Sequence, residues 1–438
     1  MCAHAGLLGK VNQTKGVERP LASEINQLVK TISAKLITSR GLTTAVGTTG
    51  SMGSKIRNNL VFEALLRRRV SNDGEELSTT DVCNIRESTL SFVEKMRIKT
   101  GNFGCFTYSV SCKEPLLYAS IYACLTRYLY RDLGGLSEKN RQDWINYIQN
   151  GQAEDGLFKD PAVKNQLAET EDWWGWRHLT LHAIMALTAL NATAKRRFIF
   201  LDKFRSNGSM AKWIQSRNWL ENPANVSNEI QNCGALLQYA RDFHGQQWTN
   251  DALNELFESL DRLQDSQTGL WVNRFDTSAL LSVGVQTGYH IWLLYFYDHR
   301  PIRNKERIID NCLKTQNKLG GFGPFLNSSA CEDIDSIDPL ARLFFLTSHR
   351  RTTIQCVMQH ALAWIFAGMN KDGGFVFRRN EPFVYGHEKM FSGVNESALF
   401  PTWFRTLSLA YLSKVLPESN VGRFDWQFLK CPGYQFWN

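Results

Sequence analysis

From Glu87 onward the chain repeats itself about every 50 residues, and this periodicity limits the possible folds more than any other feature. Each unit carries an amphipathic helical stretch, a turn with glycine and an aromatic residue, a polar loop, and a second, more apolar helical stretch. The turns are Gly101-Asn102-Phe103-Gly104, Gly156-Leu157-Phe158, Gly269-Leu270-Trp271, Gly320-Gly321-Phe322 and Gly373-Gly374-Phe375. One unit is degenerate: Gln215-Ser216-Arg217-Asn218-Trp219 keeps Gln and Trp and lacks the glycine. The spacing predicts first helices over 87–97, 136–149, 205–216, 249–264, 303–317 and 352–369. It predicts second helices over 114–129, 171–191, 228–243, 276–299, 335–348 and 395–416. Six outer/inner pairs match an all-α (α/α)6 toroid. An open solenoid would need polar caps at both ends, and the last unit shows none.

In such a ring the inner helices run the same way, so their N-termini gather at one mouth. The residues there are Glu114, Glu171-Asp172, Asn228-Glu229, Asp276-Thr277, Asp333-Asp335 and Asn395-Glu396. Only Cys331-Glu332-Asp333-Ile334-Asp335-Ser336-Ile337-Asp338-Pro339 is over-provided with acid. Crowded carboxylates raise one another's pKa and hold a proton near neutral pH, which makes a Brønsted acid of an aspartate. The competing reading is a helix N-terminus, with Asp333 or Asp335 as N-cap and the other acids favoured by the helix dipole.

Residues 1–80 read as an N-terminal extension and 81–438 as the toroid; within the extension, Gly41–Ser54 has linker composition and Leu60–Arg69 reads as a short helix. The ten cysteines form no CxxC pair and no Cys/His cluster, so neither a disulfide framework nor a zinc knuckle is expected. Reduced thiols, with no signal peptide and no bilayer-spanning segment, predict a cytoplasmic protein. The net charge of +8 favours an anionic small substrate or a lipid surface. It does not indicate nucleic acid, because Arg67-Arg68-Arg69 stands without a motif or an aromatic platform.

Three turns share a Gln, a short spacer, glycine and an aromatic: Gln152 to Phe158, Gln264 to Trp271 and Gln316 to Phe322. A fourth, Asn370 to Phe375, has Asn for Gln. In these turns the chain resembles the terpenoid cyclase and protein prenyltransferase toroids with their QW-type repeats, over roughly residues 87 to 416. Asp333-Ile334-Asp335-Ser336 resembles the DxDD motif of class II terpene cyclases, and more closely its DxDT-type variant. The resemblance implies that Asp335 donates a proton to an alkene of a prenyl diphosphate or polyprene, supported by Asp333, with Asp338 beside them. It implies no required cofactor and no protein-bound metal, with Mg2+ only bridging a diphosphate. Familiar class II enzymes pair two toroids. This chain has length for one, so a second subunit would supply the other. The prenyltransferase zinc pattern is not matched: Asp310-Asn311-Cys312 precedes its glycine turn, where the family's pattern follows one.

For binding, the densest aromatic and basic group is Trp173, Trp174, Trp176, Arg177, His178 and His182. It reads as π surfaces for a cation and a charge for a diphosphate, or as aromatic core with a satisfied histidine. Trp292 and Tyr295, then Trp403 and Arg405, are further candidates on second helices; Arg378-Arg379 would hold a phosphate or face solvent. Two other functions fit the same architecture. One is a carbohydrate-active (α/α)6 enzyme using Asp172, Asp335 and Glu396 as acid/base groups. The other is a non-catalytic toroid that binds a lipid or partner.

Overall fold

The computed structural model describes residues 50–163, 174–272 and 276–437. Helix α1 (Gly50–Arg69) belongs to a unit of its own. It takes in residues 50–54 of the expected linker, whose remainder lies outside the described residues. The second unit begins with a π-helical turn, Val70–Gly74, and α2 (Glu75–Thr79).

Six outer helices follow: α3 (Val82–Lys95), α5 (Glu138–Asn150), α7 (Ser209–Gln215), α9 (Thr249–Leu263), α11 (Lys305–Lys314) and α13 (Arg351–Ala367). They alternate with six inner ones: α4 (Leu117–Leu129), α6 (Trp176–Ala189), α8 (Pro223–His244), α10 (Ser278–Tyr297), α12 (Ala330–Leu346) and α14 (Leu399–Val415). Each inner helix packs on the next, and α14 packs back on α4, so the ring is closed. The inner helices are buried on nearly every side, which is why they read as apolar all round rather than as one stripe. The fold is the all-α (α/α)6 toroid expected from the repeat.

The repeated turns are clamps between units. The Gln152 amide donates to Gly156 O and Arg196 O, and its carbonyl accepts from the amides of Lys195 and Arg196. Gln316 likewise donates to Gly320 O and to Val357 O of α13. Two turn glycines, Gly156 and Gly373, have φ of +87°, and a side chain at either would run into the neighbouring unit's backbone. For Gly373 that backbone is Ser88 of α3, the first outer helix. The outer layer therefore closes too.

A second set of bonds fastens three of the turns to their inner helices. The amide of Phe158 donates to Thr180 Oγ1, that of Phe375 to Thr402 Oγ1, and that of Phe322 to Asp333 Oδ1. An early position of α6 and α14 carries a hydroxyl, and the same position of α12 carries an acid.

Both ends of the ring are covered. At the mouth, a hairpin of β1 (Phe383–Val384) and β2 (Phe391–Ser392) brings in Tyr385. At the other end the C-terminal tail enters. Gln435 Nε2 donates to Leu125 O, Gln435 Oε1 accepts from the Trp403 indole at 2.7 Å, and Arg342 donates to Phe436 O at 2.7 Å.

Candidate functional site

Helix α12 starts at Ala330, capped by Ser329, whose hydroxyl accepts from Glu332 N while the Glu332 carboxylate accepts from Ser329 N. Neither Asp333 nor Asp335 is the N-cap; both lie inside the helix. The helical repeat then divides the acidic stretch between two faces.

Asp333 and Ser336 face outward. Asp333 is fully buried, and its carboxylate accepts from Phe322 N, Ser328 Oγ, the Trp364 indole and Arg405 Nη1, the last two at 2.9 Å. Burial pushes its pKa up while Arg405 pulls it down. Arg405 also donates to Val376 O and Phe377 O. This pair ties α12 and α14 to two turns. All of its bonds are to the protein itself. Ser336 meets Thr315 Oγ1 of α11 at 3.0 Å.

Cys331, Asp335, Asp338 and Arg342 form the inward stripe. Burial, then Asp338 and more weakly Asp335, raises the Tyr289 phenol; burial, then Cys331 and Asp335, raises Tyr434; the charge of Asp335 also reaches the buried Cys312 of α11. Asp338 is held by Arg342 at 2.5 Å, and its Oδ2 is buried without a partner. Burial raises this carboxyl to about 6 against the pull of Arg342, so it takes up a proton in mildly acid solution, well above the ordinary aspartate range.

The lumen wall has two characters. On α14, α4 and α6 it is aromatic. Tyr118 stacks on Trp174, Tyr122 on Trp403, Tyr385 on Phe400, and His182 on Tyr434. His178 Nδ1 meets the Tyr118 hydroxyl at 2.8 Å and its Nε2 meets that of Tyr385 at 3.3 Å. Burial, reinforced by His182, lowers His178 well below its ordinary range, and burial takes His182 to about 4; both rings are neutral. On α8 and α10 the wall is polar. Ser227 faces His290 at 3.3 Å, and Gln231 lies one turn on along the same face of α8. Gly234 faces Leu294 of α10 and Leu256 of α9, and Asn232, two residues earlier, points to the opposite side of α8. The side-chain amides of Gln231 and Asn232 are fully buried, and none of their four polar atoms has a partner.

The expected binding residues are therefore only partly assembled. Trp174, His178 and Trp403 line the aromatic wall. Trp176 is buried beside them at the start of α6. Arg177 lies over Phe200. Trp292 and Tyr295 turn outward, Trp292 against Trp271 and Tyr295 onto Phe257 and Asp261 of α9. Trp173 and Asp172 lie outside the described residues. Glu396 accepts from Ser111 N, Ser111 Oγ and Gly393 N, which makes it a loop anchor. Arg378 pairs with Glu332, and Arg379 donates to Ala367 O and Met369 O at the end of α13, so neither is left as a phosphate holder. Asp310 pairs with His349 and Arg350 while Cys312 is packed in the core, and among the described residues no group of side chains could hold a metal ion.

Tyr385, Tyr434, Tyr289, Gln231 and Asn232 were not singled out by the sequence reading. The five amides of α8, Asn225, Asn228, Gln231, Asn232 and Gln238, were a visible signal. The tyrosines of the hairpin and tail lie outside the repeat and carried none.

No family model matches the chain, and no curated protein matches it. Among solved structures it is similar to a GH76 alpha-mannanase from Bacteroides thetaiotaomicron, at 13% identity and a TM-score of 0.45, covering 80% of this chain and 99% of that one. The resemblance to terpenoid cyclases is corrected: none of the comparisons returns such an enzyme, and the motif behind the resemblance divides between two faces of α12. Its first aspartate is a framework tie, and its serine bonds an outer helix. No helix among the described residues is long and apolar enough to cross a membrane.

Proposed function

We propose that the chain is a carbohydrate-active enzyme, a glycosidase or lyase working by acid–base chemistry on the inward face of α12. The feature that carries this reading is the pair Asp335 and Asp338, two buried acids three residues apart on α12. At i,i+3 their Cβ atoms are about 5–6 Å apart. Carboxyl groups about 5 to 9.5 Å apart are what glycoside hydrolysis uses, one to protonate the leaving oxygen and one to act as base or nucleophile. Asp338, raised to about 6, is suited to hold the proton. Asp335 is suited to the second role. The unpartnered amides of Gln231 and Asn232 offer donors and acceptors to ring hydroxyls, and the opposite wall offers aromatic faces. A lumen with one amide-lined wall fits a polyhydroxyl guest better than a hydrocarbon.

The test is incubation with α-mannan, β-glucan, chitooligosaccharides and polyuronates. New reducing ends report hydrolysis, and absorbance of an unsaturated product reports a lyase. Product that disappears in Asp335→Asn and Asp338→Asn supports the reading; turnover unchanged in Asp335→Asn would refute it. A second reading rests on Tyr385 and Tyr434, which occupy the two ends of the lumen. A toroid closed at both ends also suits binding without turnover. Saturable glycan binding with no product from any substrate would favour that reading.

A further inference from the structure

At the end of the ring where the inner helices finish, a cleft of about 480 Å³ opens between α10, α12, α14 and the C-terminal tail. Its lining is of two kinds. Phe296, Ile302, Phe345, Leu346 and Trp437 are apolar, and Phe345 and Leu346 are half exposed. His299, Arg300, Lys305, Arg342 and Lys414 are basic, and among the described residues no carboxylate side chain lines the cleft.

The basic groups are not equally available. Arg342 is committed to Asp338 and Phe436 O. Arg300 donates to Asn254 and lies over Phe257. Two ammonium groups remain. Lys305 makes one long bond to Leu346 O at 3.4 Å. Lys414 lies over the Phe428 and Trp437 rings. Neither pairs with a described carboxylate. A half-buried ammonium resting on aromatic faces, beside exposed apolar side chains, lacks an anion. An exposed apolar patch rimmed by charge marks a binding surface, and the volume is that of a small-molecule site.

We infer that this cleft binds a single-headed amphipathic anion, its head on Lys305 and Lys414 and its apolar body on Phe296, Phe345, Leu346 and Trp437. The head is a carboxylate or phosphate monoester, and the body is an alkyl or acyl chain. The cleft meets the proposed glycan chemistry only through Arg342, which lines it and pairs with Asp338; the head and body contacts inferred here do not use that arginine.

The test is titration of the full chain with dodecanoate, dodecyl phosphate, dodecanol and dodecyltrimethylammonium, followed by Trp fluorescence and calorimetry. Vesicles of anionic phospholipid form a separate arm. Expected is 1:1 saturable binding of the two anions, weakened about tenfold by Lys414→Gln and by Lys305→Met alike, as loss of one charge-assisted contact predicts. Melting curves check that both variants are folded. Equal binding of dodecanol or of the cation would overturn the inference, because the charge would then select nothing. So would anion binding unchanged in both variants, or attachment to vesicles with no binding of the free amphiphiles.

Discussion

The two faces of α12 carry acids of the same kind two residues apart, and they have different jobs. Outward, Asp333 accepts four bonds and belongs to the framework. It occupies the position that α6 fills with Thr180 and α14 with Thr402, each taking the amide of a turn aromatic. Inward, Asp335 and Asp338 share their field with the Tyr289 phenol. The acidic cluster is therefore two patterns overlaid: a structural repeat in which an acid stands for a hydroxyl, and the inward pair on which the proposed function rests.

The sharpest way to break this comparison is at the inward face. Asp335→Asn is expected to lower glycan turnover by about 10²–10⁴-fold, the usual range for a lost acid–base group. It should leave the denaturation midpoint nearly unchanged. A large loss of stability would place Asp335 in the framework with Asp333.

At the outward face the expectation reverses. Asp333→Thr restores the local pattern of α6 and α14 and strands Arg405 as a buried charge, so it should cost about 3–5 kcal/mol. Asp333→Thr combined with Arg405→Met should recover most of that, because no charge is then left unpaired. Denaturant melts of the two variants decide the matter. If the double variant is no better than the single, the carboxylate does more than balance Arg405.

The acid side of the stability profile tests the aromatic wall against Asp338. His178, His182 and His290 are held neutral by burial, His182 down to about 4. Below the ordinary histidine range the unfolded chain takes up protons that the fold refuses. Stability should fall as pH drops from 6.5 toward 4, by a few kcal/mol in total. Asp338 acts in the opposite sense. Its carboxyl is raised to about 6, so its contribution is full at low pH and fades as pH rises toward that value. In melts run across this range, His182→Gln should flatten the acid loss and Asp338→Asn should steepen it.

The smallest effect tests the repeat itself. Thr180→Ala and Thr402→Ala should each cost about 1–2 kcal/mol, one buried hydrogen bond with its turn amide left unpaired. A cost near zero in both would mean that the shared position has no structural weight.

The ring was legible because its physics is local and repeated. A Gln that clamps its own turn and the next unit leaves the same mark each time, as at Gln152 and Gln316. The acids were legible as a cluster but not as two faces. That division follows from where α12 begins, and Ser329 begins it before the acids rather than among them. Trp292 and Tyr295 share a helix with Tyr289, and which of them turns inward depends on packing against α9. Tyr385 and Tyr434 arrive on a hairpin and a tail with no periodicity to give them away. The polar wall was readable in Gln231 and Asn232, had the amides been weighed as heavily as the aromatics.

The contact of Gly373 with Ser88 also bears on how the chain is made. The two residues are 285 positions apart (373 − 88), so the ring cannot be completed as the first repeats leave the ribosome. Early units wait with unpaired flanks until the last arrives, and joining the ends carries the entropy of a very long loop. Folding is expected to be slow and to finish in one late step. A deletion at either end of the ring should then cost the whole barrel and not one repeat, unlike the gradual shortening an open array of helix pairs tolerates.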